Sequence, residues 1–159
     1  MKPELIYALY KFKKLFPENL PDIAIELIKK GYENEYLIQI AGLTNPTRGQ
    51  LEDLVEKGLN QFVDMNSDLI KLALIIAEGI IEDEIKPYDG ASIIGEISEQ
   101  LDSKDELWNF KYHIIQYDDL EDDKVVRNLG YDPKNIEIWQ NEILVDIKND
   151  AKKLIENFN

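Results

Sequence analysis

Two acidic runs are the residues whose type and spacing most favour a function. The first is Glu82-Asp83-Glu84, and the second runs from Asp118 to Asp123 with a single leucine inside it. Clustered carboxylates bind cations, either a metal ion or the Lys and Arg side chains of another protein. Both runs fall within residues 78–123, where fifteen acidic residues face three lysines. The sequence therefore predicts a strongly negative central segment.

The second run lacks the spacing of a calcium-binding EF-hand. That loop needs acidic residues at its positions 1, 3 and 5 and a glycine at position 6. Counting from Asp118 puts Leu120 at position 3, and counting from Asp119 puts Lys124 at position 6. Because the chain has no cysteine and one histidine, thiolate sites and di-iron sites are excluded too. We expect no bound metal and no cofactor.

His113, the one histidine, is the only candidate for acid–base chemistry near neutral pH. A general base needs an orienting partner and a reacting group nearby, and the sequence nominates no nucleophile. A serine triad would need this same histidine, and the chain has no nucleophile-elbow motif. We therefore expect His113 to be a partly buried helical residue. We predict no catalytic residues, and a protein that is not an enzyme.

The acidic runs leave two interpretations open, a solvated surface or a docking surface for a basic partner. Tyrosines lie near the acids in the sequence, and protein interfaces combine aromatic anchors with complementary charge. Folding decides whether the acids share one face. The predicted partner-binding residues are Glu82, Asp83, Glu84, Tyr112, Tyr117, Asp118, Asp119, Glu121, Asp122, Asp123 and Tyr131.

The overall charge limits the classes of partner. With 18 basic and 32 acidic residues the formal net charge is -14, so binding to a polyanionic nucleic acid is disfavoured. The longest apolar stretch, 69–81, is shorter than the roughly 20 residues that span a bilayer. The N-terminal apolar residues are followed at once by lysines, unlike those of a secretory signal. We expect a cytoplasmic protein with a basic protein partner, without nucleic acid or membrane contact.

The elements that position these residues are predicted to be helices throughout. Apolar residues recur at helical spacing, as in Leu107, Phe110 and Ile114, and no segment alternates convincingly as a strand does. No long Gly/Ser or Pro linker marks a domain boundary. We predict one all-α domain, residues 1–159, with about seven or eight helices around a buried central helix (68–85) and a long C-terminal helix. A solenoid is the structural alternative, but no fixed repeat period supports it.

Three local patterns carry further structural expectations. Thr47 and Gln50 have the spacing of a capping box, which would begin a helix after Thr47. Gly90 lies in an apolar helical segment, where a missing side chain allows close helix approach. Both tryptophans, Trp108 and Trp139, are expected in the core because they coincide with the inward stripes of their helices. The last helix is expected to start at Pro133.

Two longer stretches resemble a known group of proteins. These are PDIAIELIKKGYENEYLIQIAGL and EGIIEDEIKPYDGASIIGEIS, the latter followed by an aromatic helix and YDDLEDD. Across residues 15–155 the chain resembles a widespread group of small acidic helical bacterial proteins, most of them uncharacterised. Some of that group resemble immunity proteins encoded beside polymorphic or contact-dependent toxins. The resemblance implies a binding protein with no catalytic residues.

The function predicted from charge and resemblance together is that of a non-enzymatic immunity protein. It would bind and neutralise a bacterial toxin domain, such as a basic nuclease, through its acidic surface. The alternative is a small helical adaptor or scaffold in a bacterial assembly.

Overall fold

The computed structural model describes residues 1–59, 62, 69–102 and 106–158, with Asp123 described by its backbone alone. Throughout these ranges the regular structure is helical and none of it is a strand, which confirms the all-α prediction. The chain divides into two compact units, Met1–Asp68 and Leu69–Asn159. The single-domain prediction stays a prediction, since a compact unit is not by itself an independently folding domain.

The first unit contains four helices within its described residues. They are α1 (Pro3–Lys11), α2 (Leu20–Lys29), α3 (Glu35–Ala41) and α4 (Arg48–Leu59), with a 3-10 turn at Pro17–Asn19. Their apolar faces meet in one core, formed by residues that include Ile6, Leu27, Leu37, Ile40, Leu51 and Val55. Burial of these faces, more than intrinsic helix propensity, stabilises helices as short as these.

Local signals in the sequence begin and end the helices of this unit. The N–H of Thr47 donates to Gln50 Oε1 at 2.9 Å, and the N–H of Gln50 donates to Thr47 Oγ1 at 3.4 Å. The predicted capping box is therefore confirmed as the start of α4. Asn34 begins α3, because its side-chain oxygen accepts from the N–H groups of Tyr36 and Leu37.

The second unit contains five helices within its described residues. They are α5 (Leu69–Ile81), α6 (Pro87–Gln100), α7 (Glu106–Glu121), α8 (Asp123–Asn128) and α9 (Ile136–Phe158), with a 3-10 turn at Pro133–Asn135. The long C-terminal helix is confirmed, although it begins at Ile136, after the 3-10 turn, and not at Pro133. The short helix α8 is additional to those predicted. None of the described helices is long and apolar enough to cross a membrane.

The predicted central helix, 68–85, appears in the second unit as α5, which packs against α6 and α9. It buries six residues, which are Leu72, Ala73, Ile76, Ala77, Gly79 and Ile80. The helix ends at Ile81, four residues earlier than predicted, because Asp83 takes a left-handed conformation (φ 56°) that helical residues do not adopt. Its predicted first residue, Asp68, lies outside the described residues.

Glycine allows α6 to approach α5 closely, as predicted at Gly90. A Cβ atom placed on Gly90 would lie 2.5 Å from Ile80 Cγ1, well inside van der Waals contact. Gly95 does the same against α7, where a Cβ atom would lie 3.2 Å from Lys111 Cα. The close packing of α6 against α5 and α7 therefore depends on two positions, Gly90 and Gly95, where glycine has no side chain.

Helices α7 and α9 run antiparallel. Asn157 Nδ2 donates to Glu106 Oε1 at 2.7 Å, and His113 Nε2 lies 3.0 Å from Asp150 Oδ2. As the residue numbers rise along α7, those of the contacting residues fall along α9. The C-terminal end of α7 therefore lies beside the N-terminal end of α9.

Candidate functional site

A groove of about 440 Å³ lies on the second unit between α7, α9 and the segment that joins them. We call it the α7/α9 groove. Helix α7 contributes Tyr112, Ile115, Gln116, Asp119 and Leu120. Helix α9 contributes Trp139, Glu142, Ile143 and Asp146, and the joining segment contributes Leu129 and Tyr131. The volume is within the roughly 300–1,000 Å³ of typical ligand sites.

The two helices present matching stripes to this groove. On α7 the lining residues begin with Tyr112 and recur three, four and seven positions later, as far as Asp119, and Leu120 follows. On α9 the same spacing runs from Trp139 to Asp146. Residues spaced in this way share one face of an α-helix. Each stripe begins with an aromatic residue and has an aspartate seven positions later.

Large apolar side chains in the groove are exposed to solvent. The side chain of Tyr112 is 55% exposed, and those of Ile115, Leu129 and Tyr131 are 45%, 59% and 43% exposed. The rings of Tyr131 and Trp139 contact each other with their centroids 4.6 Å apart. Contiguous exposed apolar surface is uncommon on proteins that act alone and marks interaction sites.

Acidic side chains lie on both sides of the groove. Asp119 projects from α7, and Glu142 and Asp146 project from α9, all three exposed. Among the described residues, no Lys or Arg forms an ion pair with Asp119 or Glu142. The second unit has 21 acidic and 10 basic residues, a formal net charge of -11. The arrangement attracts a cationic group next to an apolar one.

Three of the predicted partner-binding residues meet in this groove, namely Tyr112, Asp119 and Tyr131. Tyr112 and Asp119 share one face of α7, and Tyr131 reaches the groove from the segment that joins α7 to α9. The interpretation of the acids as a docking surface therefore has a geometric basis at this position. It remains a prediction, because a groove alone does not identify its occupant.

Tyr117 and Asp118 lie on a different face of α7 and contact α6. The ring of Tyr117 packs against that of Tyr88, with centroids 5.0 Å apart. The hydroxyl of Tyr88 donates to Asp118 Oδ1 at 2.8 Å. Burial, and then this bond to a carboxylate, raise the pKa of Tyr88 to about 12. Tyr117 and Asp118 thus connect two helices of the second unit.

Two further predicted residues, Glu121 and Asp122, are not among the residues that line the groove. Asp122 caps α8, because its Oδ1 accepts from the N–H of Lys124 at 2.8 Å. Glu121 is exposed elsewhere on α7, and the side chain of Asp123 is outside the described part of the chain. Consecutive helical residues are turned by about 100° from one another, so an unbroken acidic run is spread around the helix.

The first acidic run is also separate from the groove. Glu82, Asp83 and Glu84 lie in the turn that follows α5, where Glu82 and Asp83 are exposed and Glu84 is half-buried. Asp83 forms an ion pair with Lys148 of α9. This contact gives Asp83 a local electrostatic partner within the second unit.

Sequence reasoning did not select Glu142 and Asp146 for the site. Residues 124–159 contain six basic and six acidic residues, so their net charge is zero and does not mark a site. The available signal was the spacing of Trp139, Glu142, Ile143 and Asp146, which places acids beside apolar residues on one helical face. Trp139, expected in the core, is half-buried and lines the groove.

The prediction that Trp108 lies in the core is wrong. Its side chain is 41% exposed. The buried residues of α7 are Leu107, Phe110, Ile114 and Leu120, and Trp108 follows Leu107 by one residue. That single step turns the side chain by about 100° away from that of Leu107.

His113 is partly buried, as predicted, and joins α7 to α9. Its side chain is 13% exposed and that of Asp150 is 16% exposed. Its Nδ1 atom is buried and has no hydrogen-bond partner among the described residues. Burial raises the pKa of Asp150, but hydrogen bonds from Lys153 and His113 outweigh that effect and lower it overall. With Nε2 facing Asp150 and Nδ1 enclosed, His113 contributes a contact between α7 and α9.

No group of three or more His, Asp or Glu side chains suited to a metal ion occurs within the described ranges. No protein-family model, curated protein or solved structure matches this chain. The resemblance to small acidic bacterial proteins therefore stays a prediction.

Proposed function

We propose that this chain is a non-enzymatic, cytoplasmic immunity protein that binds a bacterial toxin domain with a basic surface. The observation that carries the proposal is the α7/α9 groove, which combines exposed aromatic and aliphatic side chains with acids on both sides. Aromatic anchors supply most of the affinity of such interfaces, and the surrounding charges select the partner. The predicted anchors Tyr112 and Tyr131 both lie there.

The charge of the second unit supports a partner that itself handles a polyanion. Nucleases bind nucleic acid through Lys and Arg side chains that neutralise phosphates. A unit of formal net charge -11 competes for those same side chains and accelerates association by long-range attraction. Binding at or near the basic surface of the toxin would exclude its substrate.

Growth protection in cells tests this proposal. Toxin domains encoded beside this gene would be expressed in a sensitive bacterium, with and without the chain. We expect the unchanged chain to restore growth and the Glu142→Lys and Tyr131→Ala variants to lose that protection. Glu156→Lys is the matched control, since Glu156 is an exposed acid of the same helix outside the groove.

Two results would contradict the proposal. One is a purified chain that forms no complex with any of these toxin domains at low salt. The other is protection that survives both groove variants. In either case the folded state of each variant is checked first by circular dichroism, so that loss of protection is not confused with unfolding.

The alternative is an adaptor that joins several proteins of a bacterial assembly. The observation that favours it is a second set of exposed apolar residues in the first unit, with Phe16 68% exposed and Ile38 50% exposed. An adaptor would form a complex with two partners at once. Phe16→Ser would then remove one of them and leave the groove partner bound.

A further inference from the structure

We infer that the α7/α9 groove binds a short amphipathic α-helix of the partner, with its apolar face in the groove and Lys or Arg side chains along both edges. The inference rests on the proposed function, because it assumes that a basic protein docks at this position. It adds the conformation and the residue pattern of the docking segment.

The length of the groove fits about two turns of helix. Along α7 its lining runs from Tyr112 to Leu120, which at about 1.5 Å per residue corresponds to about 12 Å. Tyr112, near the middle of α7, is the first residue of this helix to line the groove. The Tyr131–Trp139 pair lies at the opposite end of the groove, beside the C-terminus of α7. The aromatic rings thus mark the two ends of the groove, and aliphatic side chains lie between them.

Hydrogen bonding favours a helical ligand over an extended one. Strands that bind proteins by backbone pairing need an exposed sheet edge, and no strand occurs in the described part of the chain. The backbone groups of α7 and α9 are already bonded within each helix. An extended peptide would therefore leave its own backbone groups without protein partners, whereas a helix satisfies them internally. Two helices that lie side by side, as α7 and α9 do, can also pack a third helix against the groove between them, with its side-chain ridges in their grooves.

The acids specify where the positive charges of the ligand lie. Asp119 is on one side of the groove, while Glu142 and Asp146 are on the other, one helical turn apart. A helix that lies between them meets carboxylates on both flanks of its apolar stripe. A basic amphipathic helix carries Lys or Arg in just these flanking positions. A polyproline ligand would instead favour a continuous series of aromatic rings, and here the middle of the groove is aliphatic.

A synthetic peptide tests this directly on the full chain. The probe is a Leu/Lys peptide of about 14 residues whose leucines recur at helical spacing, about four turns in length. The protein used in this assay is the full chain with the substitution Trp108→Phe, so that Trp139 in the groove is its one remaining tryptophan. We expect the peptide to change the Trp139 fluorescence in a saturable manner. Glu142→Lys is expected to weaken binding by about tenfold, and Glu156→Lys to leave it unchanged.

Two control peptides separate conformation from charge. The first has the same composition but a proline in place of one central residue, which prevents a continuous helix. The second replaces each lysine with glutamate. We expect the proline peptide to bind at least about tenfold more weakly and the acidic peptide not to bind. A basic proline-rich peptide serves as the polyproline competitor.

Equal affinity for the helical and proline-containing peptides would overturn the helical mode, as would tighter binding of the proline-rich peptide. Binding that ignores Glu142→Lys and Tyr131→Ala would overturn the assignment of the groove. These outcomes are separable from failure of the proposed function. Groove-dependent growth protection without helix selectivity would refute this inference alone. Helix-selective binding without protection from any neighbouring toxin would refute the immunity function alone.

Discussion

Asp150→Asn should destabilise the second unit by removing one charge while keeping the shape of the side chain. In the native protein the Asp150 carboxylate accepts from Lys153 Nζ at 2.8 Å and faces His113 Nε2 at 3.0 Å. An asparagine oxygen can still accept these bonds, but as a neutral group. Charge-assisted hydrogen bonds are roughly twice as strong as neutral ones, and the bond from exposed Lys153 contributes little. We therefore expect the free energy of unfolding to fall by about 1–1.5 kcal/mol.

The effect should depend on pH with a defined sign. The folded environment lowers the pKa of Asp150 below its ordinary value of 3.8. Its contribution to the free energy of unfolding is therefore complete above pH 3.8 and is lost as the pH falls through the folded pKa. The difference between the unchanged chain and Asp150→Asn should be fully present at about pH 5 and should shrink below pH 4.

Urea unfolding monitored by tryptophan fluorescence is the assay. Both tryptophans, Trp108 and Trp139, belong to the second unit, so the signal is specific for that unit. Asp146→Asn is the matched control, because Asp146 is an exposed acid one turn earlier on α9, and we expect it to change stability by less than about 0.5 kcal/mol. The reasoning is refuted if the two variants are equally stable at pH 7. It is refuted too if the loss in Asp150→Asn persists unchanged at pH 2.

Three further substitutions test the packing and the caps. Gly90→Ala should lower the free energy of unfolding by about 1–3 kcal/mol, because its Cβ would overlap buried Ile80. Gly49→Ala, with nothing within 4 Å, should be neutral or stabilising by up to about 1 kcal/mol. Both are measured by urea unfolding followed by circular dichroism, because Gly49 lies in the first unit. Tyr88→Phe should remove a phenol that titrates near pH 12, as followed by tyrosinate absorbance. The contribution of native Tyr88 to the free energy of unfolding should be lost as the pH rises from 10 through 12. Asn34→Ala should lower the free energy of unfolding by about 1–2 kcal/mol, measured by circular dichroism, since two N–H groups of α3 lose their acceptor.

The helical character of the chain and several helix ends could be predicted from the sequence because they depend on neighbours in the chain. The Thr47–Gln50 box involves residues three positions apart, and Pro87 begins α6 where its fixed φ suits a first turn. The apolar period of α5 likewise predicted its burial. The end of α5 was harder to predict. It depends on Asp83 in a left-handed conformation, and a glycine, the usual sequence signal for that conformation, is absent at this position.

The groove could be predicted in part only. Tyr112, Asp119 and Tyr131 were selected by residue type, which sequence displays directly. Their meeting with Glu142 and Asp146 depends on the antiparallel alignment of α7 and α9, and no local pattern encodes that alignment. The acidic runs are poor guides to a shared surface, because neighbours in the sequence point to different faces of a helix.

The exposed groove has a consequence for how copies of this chain behave at high concentration. Its apolar side chains would drive two copies together, yet each copy carries a formal charge of -14 that opposes close approach. Copies of the chain should therefore repel one another, which would leave the groove uncovered for the basic partner proposed above. This colloidal protection should fail as the pH approaches the isoelectric point of about 4.4, where light scattering would detect clustering. High salt should weaken it by screening, so storage buffers for this protein should be dilute and near neutral.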